Sequence, residues 1–150
     1  MKIAIGNDHA AGELKTQIME LITDMGHELI DVGAAPGEAV DYPIPGEKVG
    51  RLVASGEADL GVLICGTGVG ISLAANKVKG IRAAAVSDTA TARLIREHNN
   101  ANVIAIGARI VGSELAKDII RTFLTTDFSG AERHQRRIDL ISQIEENFGK

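Results

Sequence analysis

The decapeptide LICGTGVGIS, Leu63 to Ser72, decides how the rest of the chain is read. An apolar run ends at Cys65, the chain's only cysteine, and glycines follow at alternate positions, Gly66, Gly68 and Gly70. Such a run followed by a glycine turn and renewed helical spacing marks a strand that leads into a helix. Working outward, the same alternation recurs. Candidate strands cover Lys2 to Gly6, Glu28 to Gly33, Leu60 to Gly66, Arg82 to Ser87 and Val103 to Gly107. Between the first two, Ala11, Leu14, Ile18, Leu21, Ile22 and Met25 recur at helical spacing. Further helices are predicted over Ile44 to Ser55, Val69 to Val78, Thr89 to His98, Ser113 to Thr125 and Glu132 to Phe148. This pattern predicts an α/β fold, a three-layer, Rossmann-like α/β/α sandwich whose five-stranded parallel sheet carries helices on both faces. The one Gly- and Pro-rich stretch, GAAPGEAVDYPIPG, is too short to separate two units, so residues 1–150 are read as a single domain.

Composition narrows the function classes. A chain of 150 residues can bury roughly 68–70% of its unfolded surface, enough for a core without staples. A net charge of −4 argues against a general nucleic-acid surface, so any phosphate chemistry must be local. One cysteine forms no internal disulfide and suits a reducing compartment. No apolar run reaches membrane-spanning length, and Met1 leads directly into the strand-like KIAIG. The expectation is a cytoplasmic protein with no membrane or nucleic-acid partner.

In open α/β sheets, ligands bind beyond the carboxyl ends of the strands. The residues there are Asn7, Asp8 and His9, then Cys65 to Gly70, then Ser87 and Asp88, then Ala108 and Arg109. A dinucleotide site would need G-x-G-x-x-G, but Ile71 stands where the third glycine belongs, and no G-x-x-x-x-G-K-[ST] loop exists. The glycines of the central loop let backbone approach a ligand, and unpaired N–H groups at a helix start can hold a phosphate or a developing oxyanion. Cys65 has two readings. It is either a small buried hydrophobe or, beside a helix start, a thiolate base or nucleophile.

The tail RHQRR is either a solvated charge run or part of a stripe. Arg133, Arg137, Ile141, Ile144 and Phe148 continue one helical face, which would turn the arginines inward or toward a partner. Guanidinium forks suit phosphate oxygens, and Arg109 could join them. His98 closes a helix, where it serves either as a favourable C-terminal cation or in catalysis. No His or Cys pair has zinc-ligand spacing, so neither metal nor cofactor is expected. Thiol, anion-holding loop, histidines and arginines together suit proton abstraction beside a carbonyl.

The stretches GNDHAAGELK, DYP, GVLICGTGVGISLAANKVKGIRAA, REHNNANVIAIGARIVG and ERHQRRI, in this order across nearly the whole chain, resemble the ribose-5-phosphate isomerase type B family. That resemblance implies cofactor-free interconversion of ribose 5-phosphate and ribulose 5-phosphate, with six-carbon sugar phosphates such as allose 6-phosphate or galactose 6-phosphate as the alternative. It implies Cys65 as the base, with the amides of Gly66, Thr67, Gly68, Val69 and Gly70 holding the enediolate. His98, partnered by Asp8 or Thr67, would open the sugar ring. His9, Arg109, Arg133 and Arg137 would grip the phosphate, while Asp8, Tyr42 and Asn99 would position hydroxyls. The site would lie at the interface of a homodimer or tetramer, with His98, Asn99 and Arg109 coming from the neighbouring subunit. A non-catalytic nucleotide-binding module is the remaining alternative.

The chain departs from that family pattern in three places. Asn7 replaces an expected Cys or Ser, Ala11 and Gly12 stand where Gly and an aromatic are expected, and SGAERH adds Glu132 beside Arg133. These bear on substrate choice more than on reaction type.

Overall fold

The computed structural model describes residues 1–149. Strands β1 (Lys2–Asn7), β2 (Glu28–Asp31), β3 (Leu60–Cys65), β4 (Ala83–Ala85) and β5 (Val103–Gly107) form one parallel sheet in the order β2-β1-β3-β5-β4. The helices are α1 (Glu13–Asp24), α2 (Pro43–Ala54), α3 (Val69–Ala75), α4 (Thr89–Glu97), α5 (Ser113–Thr125) and α6 (Glu132–Asn147). A single 3-10 turn, His9–Ala11, precedes α1. The α/β/α sandwich expected from the sequence is the one that forms.

Successive strand side chains point to opposite faces, and the two cores divide accordingly. Ile3, Ile5, Val62, Ile64, Ile104 and Ile106 pack with residues of α1, α4 and α5. Ala4, Leu63, Cys65, Val103 and Ala105 face α2 and α3. The first core is built from large side chains such as the fully buried Phe123, whose truncation to Ala would cost about 3–5 kcal/mol. The second is built from small ones, and its helices come close. A Cβ at Gly61 would lie 2.6 Å from Val49, and one at Gly46 would lie 2.9 Å from the Ile71 carbonyl oxygen. The sulfur of Cys65 therefore belongs to the tighter layer.

Most element boundaries follow the sequence reading, with short differences at the ends. β2 stops at Asp31 instead of Gly33, since Val32 N–H and Ala34 N–H continue to β1 only as isolated bonds. α3 stops at Ala75 instead of Val78, because the chain tightens so that Lys77 and Val78 donate three residues back. In α6 the buried face is His134 and Ile138, one residue round from the predicted stripe. Arg133, Arg137, Ile141, Ile144 and Phe148 are exposed on this chain, so the arginines do not turn inward.

The chain leaves β1 toward the α1 face and β3 toward the α3 face. Between these neighbouring strands the connections diverge, which opens a crevice at their carboxyl ends. Asp8 and Cys65 stand at its two walls.

Candidate active site

Cys65 is the last residue of β3 and only 4% exposed. Its sulfur accepts the Gly68 N–H at 3.1 Å. That bond requires the chain to turn sharply, and Gly68 does so with a left-handed φ of 81°. A Cβ there would lie 2.9 Å from the Ile106 carbonyl carbon, so the position demands glycine on two counts. The neighbouring Val69 N–H donates to Thr67 Oγ1 at 3.2 Å. Gly68 and Val69 amides are thus engaged inside the loop. Thr67 itself is exposed, and Gly66 and Gly70 are half-buried.

The loop after β5 runs alongside. Ala108 N–H donates to the Cys65 carbonyl at 2.8 Å and Arg109 N–H to the Gly66 carbonyl at 3.0 Å. Gly107 permits this approach, since a Cβ there would lie 2.7 Å from Thr67 backbone atoms. The Arg109 side chain lies across Gly66, where an added Cβ would meet Nη1 at 3.3 Å. Arg109 thus lies against the Cys65 loop of its own chain. Tyr42, just before α2, covers the other end of the loop. Its ring would stand 2.7 Å from a Cβ on Gly70.

Asp8 forms the opposite wall and is 7% exposed. Its N–H donates to the Ile64 carbonyl at 3.3 Å, and its carboxylate accepts the Ala10 N–H at 2.9 Å. His9 next to it is exposed, with Nδ1 3.2 Å from the Val40 carbonyl oxygen. It separates a cavity of about 490 Å³, lined by Asn7, Asp8, Lys15 and Ala34 to Ala39, from one of about 370 Å³ that reaches Asp41 and Lys48.

His98 and Asn99 are not here. α4 runs back along the sheet, so they lie at its amino-terminal edge, just before β5 begins. Asn100, with a left-handed φ of 44°, turns the chain there, and the Asn99 carbonyl accepts Arg82 Nε–H at 2.9 Å. A strand separates this edge from Cys65, roughly 15 Å at the usual rise per residue. His98 stacks on His134 with ring centroids 4.3 Å apart, and Arg133 and Arg137 flank His134 on α6. Burial first, then the charges of His98, Arg133 and Arg137, push the His134 imidazole below its ordinary pKa. Glu132 pairs with Arg136 at 3.3 Å, so the added acid engages the arginine on the far side of the helix from the stack.

The structure thus sorts the expected residues into two groups. Asp8, His9, Tyr42, Cys65 to Gly70 and Arg109 gather at the carboxyl edge, while His98, Asn99, Arg133 and Arg137 gather at the amino edge. One further residue, His134, escaped the sequence reading. It lay inside RHQRR but was masked by the arginines, although its spacing of four from Ile138 marks the buried face. Asn7 is buried, with Nδ2 donating to the Asp8 carbonyl at 2.9 Å and Oδ1 unpartnered. Among the described residues no cluster of His, Cys, Asp or Glu could hold a metal ion, and no helix is long and apolar enough to cross a membrane.

The chain is 48% identical over 145 residues to ribose-5-phosphate isomerase B of Escherichia coli, covering 97% of each chain. It is 49% identical over 147 residues to the galactose-6-phosphate isomerase subunit LacB of Clostridium acetobutylicum, covering 98% of this chain and 85% of that one. The solved structure of ribose-5-phosphate isomerase B from Clostridium thermocellum superposes with a TM-score of 0.96 at 50% identity over 99% of both chains. A family model described as Ribose/Galactose Isomerase matches residues 3–141. On the loop, the crevice and these matches together, the chain belongs to the ribose/galactose isomerase family and is an isomerase.

Proposed function

We propose that this isomerase interconverts ribose 5-phosphate and ribulose 5-phosphate through an enediolate, with Cys65 carrying the proton between C2 and C1. The observation that carries the reading is the convergence of Cys65, Tyr42 and Arg109 on one glycine loop at the switch point of the sheet, with Asp8 bonded to the neighbouring Ile64 carbonyl. Cys65 Sγ removes the C2 proton of the open-chain aldose, charge develops on O1, the O2 hydroxyl proton passes to O1 within the enediolate, and the sulfur returns its proton to C1, leaving the carbonyl at C2. Because the Gly68 and Val69 amides already bond within the loop, the amides of Gly66, Thr67 and Gly70 are the donors for that oxyanion. Asp8 and Tyr42 hold sugar hydroxyls, and Arg109 and His9 meet the phosphate. None of these steps calls on a metal or cofactor.

The buried sulfur distinguishes an inert core thiol from a working one only through its surroundings. Here an amide hydrogen of the glycine loop aims at it, although the residue also packs in the core beneath α2 and α3. Entry of substrate displaces this contact.

The reading includes a second copy of the chain. Ring opening by His98 and a grip on phosphate by Arg133 and Arg137 need groups that this chain holds a strand length from Cys65. A homodimer, or a tetramer built from such dimers, supplies them from the partner. Exposed apolar side chains support such an interface: Val69 and Leu73 on α3, and Leu140, Ile141 and Ile144 on α6. The enzyme would act in the cytoplasm, where its lone thiol stays reduced.

The similarity to a galactose-6-phosphate isomerase subunit favours one second reading, isomerisation of a six-carbon sugar phosphate. Rates with ribose 5-phosphate, allose 6-phosphate and galactose 6-phosphate, measured with chelator present, separate the two. Turnover of the pentose with the highest kcat/KM, abolished in Cys65→Ala without loss of fold, is the expected result. Retained turnover in that variant would remove Cys65 from the chemistry.

A further inference from the structure

We propose that His134 is a positioning residue for ring opening, the plate on which the His98 imidazole is stacked and by which its ring plane is held. The inference rests on the reading that His98 opens the sugar ring. The two rings come from different elements, His98 from the end of α4 and His134 from the first turn of α6. They lie 4.3 Å apart at an interplanar angle of 18°, a near-parallel stack slightly closer than the usual aromatic pair.

Each partner has the constraint its role needs. The His98 N–H donates to the Leu94 carbonyl at 2.8 Å, so its backbone is fixed by the helix while its side-chain torsions are not. His134 is 6% exposed and shares the buried face of α6 with Ile138, so it is the immobile member. The groups acting on His134 are His98 from α4 and Arg133 and Arg137 from its own helix. Burial first, then these neighbours, hold its imidazole below its ordinary pKa, which favours the uncharged ring at neutral pH. An uncharged plate can lie under His98 whether or not His98 carries the extra proton. A charged one would repel it each time the proton arrived. Because Arg133 and Arg137 flank the plate, the same turn of α6 that aligns His98 also presents the two guanidinium groups proposed for the phosphate.

The substrates provide an internal control. Ribose 5-phosphate closes its ring through the C4 oxygen, and opening requires one proton delivered to that oxygen and one taken from the anomeric hydroxyl. Ribulose 5-phosphate has its C5 oxygen esterified, and no other hydroxyl can reach C2 to form a five-membered ring. It is therefore open-chain, and the aldose formed from it can leave the enzyme before closing in solution.

The test compares both reaction directions in wild type, His134→Gln and His134→Phe. Gln removes the aromatic plane, whereas Phe keeps the plane and removes both nitrogens. The NMR signals of the His98 ring protons, shifted by the ring current of residue 134, report the stack without reference to activity. We expect His134→Gln to lower kcat with ribose 5-phosphate by about tenfold or more, with a much smaller loss from ribulose 5-phosphate, and to abolish the ring-current shift. His134→Phe restores both. Equal losses in Gln and Phe variants, equal losses in the two directions, or unchanged His98 signals in the Gln variant would each overturn the proposal. A wild-type protein that converts neither sugar would sink the isomerase reading and this inference with it, a result distinct from a working isomerase indifferent to residue 134.

Discussion

The Gly68 amide hydrogen points at the Cys65 sulfur across 3.1 Å, and the turn that aims it there has a backbone conformation that only glycine adopts without strain. Cys65→Ala removes the sulfur and leaves this turn, whereas Gly68→Ala keeps the sulfur and removes its partner. A left-handed Ala costs about 1–2 kcal/mol, and the contact with Ile106 adds to it. The Gly68→Ala variant should therefore lose stability in a urea titration and most of its kcat, with the thiol still present. Wild-type kcat in a folded Gly68→Ala protein would show that the amide contact is dispensable.

Arg137 is exposed at the amino edge, where it would meet a phosphate brought by the neighbouring copy. One charge-assisted hydrogen bond lost with Arg137→Ala should raise KM for the sugar phosphate by about tenfold or more, with kcat changed far less. Arg136→Ala, on the residue that pairs with Glu132, should leave KM near the wild-type value. Equal effects of the two substitutions would argue against a phosphate grip by Arg137.

Asn7 and Gly33 are coupled through space. The Asn7 carboxamide fills the volume beside Gly33, so that a Cβ on Gly33 would overlap Oδ1. Gly33→Ala should therefore destabilise by about 1–3 kcal/mol, as overpacking does. In an Asn7→Ser background the same change should cost much less, a coupling that a double-mutant cycle of thermal unfolding would read directly. Strict additivity would mean that the overlap is relieved elsewhere.

The pH dependence of stability should carry a signature of His134. Its imidazole titrates below the ordinary range when folded, so between that lower value and about 6.5 the unfolded chain binds more protons than the folded one. The contribution is present above about pH 6.5 and is lost as pH falls through this window. Thermal midpoints of wild type should fall on acidification, and His134→Phe should flatten that part of the curve. Parallel curves would assign the acid sensitivity to other groups.

The glycine loop was legible because its message is local. A strand ends, three glycines follow, and a helix begins, so Cys65 could be placed at a carboxyl edge from its neighbours in sequence alone. The arginine stripe was legible as a stripe but not in its direction. A shift of one residue, about 100° around a helix, separates Arg133 and Arg137 from the buried His134 and Ile138, and only packing against α4 chooses between them.

By itself the sequence determined the succession of strands and helices, the two-sided alternation of the sheet and the position of the thiol before its loop, since all of these follow from where consecutive Cβ atoms point. Only the tertiary structure decided which polar residues share an edge. The order β2-β1-β3-β5-β4 sets Asp8, Cys65 and Arg109 side by side although their positions are far apart in the chain, and it sends His98 to the opposite end. The physical reason is that edge and neighbour are settled by burial between distant segments, which no local period records.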